Sequence, residues 1–181
     1  MSEKRRNAVL RLAYAGMFLA LCLLLPFLTG NNRELGNILC LMHIPVFLCG
    51  LICGPIYGAT IGLCAPVVRS FLFGMPPFPV VAVPMALELA VYGLLTGLLY
   101  RVFPKKTLWL YPNLVISMIV GRIFSIATKY ALYALGKTEF SFSVVCKLNF
   151  ITTLPGAMLQ FLLIPAVMYA LKAQGVLSHD R

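Results

Sequence analysis

Residues 80–103, VVAVPMALELAVYGLLTGLLYRVF, hold one acidic side chain, Glu88, within an otherwise apolar run that closes on Arg101. A helix rises about 1.5 Å per residue, so this stretch can cross a hydrocarbon core of about 30 Å. Comparable runs fall at about 9–28, 38–53, 55–73, 109–135 and 150–172, each bounded by charge, Pro or Gly. With 61% hydrophobic and 11% charged residues in a chain of 181, no single water-soluble core could hide so much apolar surface. The pattern predicts an all-α integral membrane bundle of six transmembrane helices, one transmembrane domain over 1–181 with no room for a soluble one.

The boundary between the second and third runs is set by Gly54-Pro55. Pro suits a first helical position and Gly a helix end, so a tight helical hairpin is expected there rather than one overlong helix. Basic residues outside the spans set the orientation. A cytoplasmic N-terminus puts Lys4, Arg5, Arg6, Arg11, Arg101, Lys105, Lys106, Lys172 and Arg181 inside, nine against Arg33, Lys137 and Lys147 outside. Both termini are therefore expected in the cytoplasm. Three longer loops, at about 29–37, 74–79 and 136–147, then face outward. The run at 9–28 is too long for a signal-peptide core and is read as the first span.

The net charge of +10 is explained by topology, not by nucleic acid. Cys22, Cys40, Cys49, Cys53, Cys64 and Cys146 lie mostly within apolar runs and lack the loop spacing of a zinc site, so they read as small packing residues. Neither a metal nor a cofactor is implied. No phosphate-binding loop, carboxylate pair or nucleophile–base arrangement emerges, and the chain has five acidic residues in all. That excludes ATP hydrolysis by this chain and argues against catalysis.

Charges at membrane depth are costly without a partner or a wet cavity, and four occur: Arg69, Glu88, Arg122 and Lys129. Arg122 and Lys129 are seven residues apart on one helical face, with Ser125 and Tyr133. Asn149, Thr153, Gly156 and Gln160 make a second polar stripe at i, i+4, i+7 and i+11. Met85, Glu88 and Tyr92 make a third. Such stripes either hold helices together or line a pocket that takes an anionic group. His43, at the outer start of the second run, is either an interfacial residue or a ligand contact. The loop Gly74-Met75-Pro76-Pro77-Phe78-Pro79 is either a lid or a stiff turn. Ala13, Gly16 and Ala20 form a small-residue stripe suited to close helix contact, within the bundle or with another protein.

The segments Met42-His43-Ile44-Pro45-Val46, Gly54-Pro55, Gly58, Gly62, Pro66, Arg69-Ser70, Gly74-Met75-Pro76 and Met85 to Gly93 resemble the substrate-binding (S) components of energy-coupling factor (ECF) vitamin transporters. The six-span plan extends the resemblance over most of the chain. It implies a multi-pass protein of a prokaryotic cell membrane that binds a vitamin or precursor from outside. Its partners would be membrane lipid, a transmembrane coupling subunit and two ATPase subunits, which supply the energy. The family's Ala-x-x-x-Ala docking pattern in the first helix is similar to Gly16-Met17-Phe18-Leu19-Ala20, Gly standing for the first Ala. Pockets of the family form toward the outer face from spans four to six. That implies substrate contacts at Arg122, Lys129, Asn149, Thr153, Gln160, Glu88, Tyr92, Arg69 and His43, and suits a small acid such as pantothenate, folate, lipoate or a phosphorylated precursor. Two other readings of the same residues are a scaffolding membrane protein without a ligand and an intramembrane enzyme using Glu88 or His43.

Overall fold

The computed structural model describes residues 3–29, 39–104, 107–136 and 151–174. Among these residues the chain forms helices and no strand. α1 is Glu3–Leu24, extended by a 3-10 turn over Leu25–Thr29. α2 is His43–Ile52, α3 Pro55–Phe73 and α4 Ala82–Val102. α5 is Leu110–Ala134, entered through a 3-10 turn at Thr107–Trp109, and α6 is Leu154–Ala173.

Five of the six are long and apolar enough to cross a membrane; α2 is not. Its ten residues rise about 15 Å, roughly half the hydrocarbon thickness. The expected continuous second span over 38–53 is therefore corrected. The chain breaks at Cys40, whose φ of 48° is left-handed, and α2 begins only at His43. A non-glycine residue in that region is uncommon and marks a place where the surroundings dictate the backbone.

The hairpin expected at Gly54-Pro55 is present. Gly54 adopts φ 106°, a conformation open to glycine and strained for other residues, and Pro55 opens α3. Gly74, at φ 68°, closes α3 by donating its N–H to the Ser70 carbonyl at 2.9 Å.

α4 lies against α2, α3 and α5, while α1 covers α2 and α3, and α6 rests on α2 and α5. Short α2 is thus enclosed, and every residue from His43 to Leu51 is buried. Glycines bring α2, α3 and α4 into backbone contact. A Cβ on Gly58 would lie 2.7 Å from Gly50 Cα and 2.8 Å from the Gly93 carbonyl oxygen, so no side chain fits there. The core around this junction is Val46, Phe47, Cys49, Leu89, Tyr92, Leu114 and Met168. Outward-facing positions are apolar as well: Leu12, Met17, Ile56, Leu98, Ile123, Met158 and Leu162 are exposed, which suits lipid and not water.

Arg101 and Lys172 stand together at one end of the bundle. The Arg101 Nη2 lies 3.0 Å from where a Gly54 Cβ would be, and Lys172 Nζ sits 5.9 Å from the Tyr100 ring centre. The α2–α3 turn shares this end with the last turns of α4 and α6.

Candidate ligand-binding site

At the other end of the central helices, polar groups from α2, α4, α5 and the start of α6 converge. Glu88 and Tyr92 are one turn apart on α4, and the Tyr92 hydroxyl donates to Glu88 Oε1 at 2.5 Å. The Tyr92 ring is buried between two helices. Phe47 of α2 stacks on it with centroids 5.0 Å apart, and Gly121 of α5 leaves room for its edge. A Cβ at Gly121 would lie 2.5 Å from Tyr92 Cδ1 and closer still to Cε1. This small residue therefore sets how near α5 approaches the Glu88–Tyr92 pair.

The next residue on α5, Arg122, donates from its guanidinium to Thr153 Oγ1. Thr153 occupies the N-cap position of α6, where a threonine hydroxyl ordinarily accepts from the helix's own backbone. It makes no such cap; its hydroxyl serves Arg122, and Pro155 in the first turn reduces the number of free N–H groups to be capped. Lys129, two turns along α5, is partly buried. Both Glu88 and Arg122 lie within electrostatic reach of Lys129, of Tyr92 and of His43.

His43 begins α2 and is buried, its ring tilted against Tyr92 at 5.6 Å. The backbone just before it is held from α6: Gln160 Nε2 donates to the Cys40 carbonyl at 3.4 Å, and His43 N–H donates to the same oxygen at 3.0 Å. The left-handed turn at Cys40 brings that carbonyl to Gln160. Ser125, one turn beyond Gly121 on the same face of α5, is also buried.

Of the residues expected from sequence, the structure thus brings together Glu88, Tyr92, Arg122, Thr153, Lys129, His43 and Gln160. Asn149 lies outside the described residues. Arg69 is engaged elsewhere. Its Nη1 donates to the Leu23 carbonyl at the end of α1 at 2.7 Å, and its guanidinium faces Phe27 at 5.1 Å and Phe73 at 5.5 Å. That is a helix-end and cation–π clasp between α1 and α3. Ala13, Gly16 and Ala20 all lie exposed on α1, and a Cβ at Gly16 would meet nothing within 4 Å. The stripe therefore faces away from the bundle.

Reading the sequence missed a second polar layer between α4 and α5. Asn113 donates from Nδ2 to the Thr96 carbonyl at 3.0 Å, and Ser117 Oγ donates to Asn113 Oδ1 at 3.3 Å. The signal was present as Asn113 and Ser117 one turn apart in an apolar run. The first bond joins α4 to α5 and the second, within α5, orients Asn113; in their neutral chemistry both differ from the charged cluster.

Comparison with curated proteins and with solved structures returned no match. A family profile described as ECF transporter, substrate-specific component, matches residues 10–175, which include every described helix from α2 to α6 and most of α1. The chain belongs to the family of substrate-specific components of ECF transporters.

Proposed function

We propose that this membrane subunit captures a small anionic vitamin or vitamin precursor from outside the cell, pantothenate being the first candidate, and passes it to a coupling subunit driven by two ATPases. The observation that carries the anionic assignment is Arg122. It sits at membrane depth, bonded to a hydroxyl at the mouth of α6, with a second cation, Lys129, on the same helical face. Cationic side chains presented by one face of α5 suit a negatively charged guest in a medium of low dielectric. Orientation follows the basic end: Arg11, Arg101 and Lys172 lie toward the cytoplasm, both termini are inside, and the polar cluster opens outward.

The exposed α1 stripe of Ala13, Gly16 and Ala20 is the proposed contact with the coupling subunit. A helix face without side-chain bulk lets another helix approach closely, and this face is not used by the bundle itself.

Mass spectrometry of small molecules released from the detergent-purified subunit tests the reading directly. A stoichiometric organic acid, together with ATP-dependent uptake of that acid only when the coupling proteins are present, is the expected result. No released molecule, and no binding from a panel of vitamins, would overturn it in favour of a scaffolding protein.

A further inference from the structure

The face of α5 that meets α4 is polar along its length. Asn113, Ser117, Gly121 and Ser125 recur on it every four residues, and all are buried. Opposite Asn113 stands Thr96 of α4, 0% exposed. Thr96 lies six residues before the end of its helix, about 9 Å along the axis, where bulk water does not reach a buried side chain.

Two bonds fix the Asn113 amide in this layer. The Thr96 carbonyl needs a donor and the Ser117 O–H needs an acceptor, so Nδ2 faces Thr96 and Oδ1 faces Ser117. The bond to the carbonyl uses one of the two Nδ2 hydrogens, and the Ser117 oxygen keeps its lone pairs.

Thr96 Oγ1 has no hydrogen-bond partner within the protein. A local partner was at hand. A helical threonine can donate to the carbonyl four residues back, and Thr60 and Thr128 do so, each at 2.8 Å, to Ile56 and Phe124. Thr96 forgoes the equivalent bond to the Tyr92 carbonyl, although it is buried more deeply than either. Buried hydroxyls are nearly always bonded in native proteins, so this one marks a place where something else completes the bond.

The chemistry of the layer selects the guest. None of its three side chains is ionised, so a charged guest would meet no counter-charge there. Two of the three present hydrogens, the Thr96 hydroxyl and the Asn113 amide, and Ser117 presents lone pairs. Water both accepts and donates, needs no counter-charge, and is held in protein interiors by two to four such bonds.

We infer that a buried water molecule binds between α4 and α5, accepting from Thr96 Oγ1 and from the second N–H of Asn113 Nδ2 and donating to Ser117 Oγ. It joins the two helices at this layer, and so helps set the spacing at which Gly121, two turns further along α5, meets the Tyr92 ring. The site is separate from the charged cluster and does not depend on the ligand assignment.

Thermal unfolding of the detergent-purified subunit and of two Thr96 variants tests this, because wet and dry layers give opposite orders. Valine keeps the shape of threonine without the hydroxyl; serine keeps the hydroxyl without the methyl. With the water bound, Thr96→Val should lower Tm by about 2–6 °C and fall below Thr96→Ser. In a dry layer Thr96→Val removes a bare hydroxyl, so it should match or exceed the wild type while Thr96→Ser falls below it. Thr60→Val and Thr128→Val, whose hydroxyls bond their own helix, are controls that should move Tm by less than about 2 °C. Water-edited solid-state NMR of the wild-type subunit in lipid is the second measurement and needs no variant to fold: the Asn113 side-chain amide should receive magnetisation from water. A Thr96→Val Tm at or above the wild type, or no transfer from water to the Asn113 amide, would overturn the inference.

Discussion

Adding one methyl group at Gly121 should destabilise the protein, although glycine to alanine within a helix ordinarily stabilises. The ordinary gain is about 1 kcal/mol from helix propensity. Against it stands the Tyr92 ring, with Cδ1 only 2.5 Å from the new Cβ. The ring cannot withdraw, because Phe47 stacks on it at 5.0 Å and it is buried. Overpacking of this kind costs about 1–3 kcal/mol. Moving Tyr92 also breaks its charged hydrogen bond to Glu88, worth roughly 1.5–3 kcal/mol. The balance for Gly121→Ala is a net loss of about 2–4 kcal/mol, a fall in Tm of roughly 5–15 °C for a chain of this size. Thermal unfolding in detergent, followed by circular dichroism, measures it. Gly16→Ala is the control: its Cβ meets nothing, so Tm should hold or rise by a few degrees. In a Tyr92→Leu background, where the bulky ring is gone, Gly121→Ala should cost less than about 1 kcal/mol. An unchanged or higher Tm for Gly121→Ala in the wild-type background would refute the reasoning, since it would mean that Tyr92 does not fill the space beside α5.

Further outcomes follow from the same geometry. Arg122→Ala should weaken binding of the acid found by mass spectrometry by about 1.5–3 kcal/mol, measured by titration; unchanged affinity removes Arg122 from the site. Arg69→Met should lower Tm, since about 1–3 kcal/mol of hydrogen bonding and cation–π contact is lost, yet leave ligand affinity within twofold. A large affinity loss in that variant would return Arg69 to the binding site. Gly16→Leu should abolish uptake in vesicles containing the coupling proteins while sparing binding by the isolated subunit, and full uptake would rule out docking through this face of α1.

Much of the architecture was legible because hydropathy and punctuation are local. Runs of about 20 apolar residues bounded by charge give spans, and Gly54-Pro55 gives a hairpin whatever surrounds it. The shortness of α2 was not legible. Nothing in the sequence around Cys40 signals a left-handed residue, and the turn there is stabilised from 120 residues away, by Gln160. The candidate site divides the same way. Glu88 with Tyr92 could be paired by helical spacing alone, whereas the bond from Arg122 to Thr153 joins two helices that periodicity cannot register against each other. Arg69 shows what the rule about membrane-depth charges leaves open. Its burial in an apolar run does demand partners, and a backbone carbonyl and two phenyl rings are among them. Phe73, one turn from Arg69, was a visible clue; Phe27 was visible only once α1 was in place.

Backbone-to-backbone contact at Gly50, Gly58 and Gly93 has a mechanical consequence. Helices that meet through long side chains can slide by exchanging rotamers, but here there is nothing to exchange. α2, α3 and α4 therefore form a keel that resists shear, and it carries His43, Tyr92 and Glu88 as a fixed wall. Any relative movement of helices is then left to the parts outside the keel: α1, joined to it by the Arg69 clasp, and the α5–α6 pair, tied together by Arg122 and Thr153.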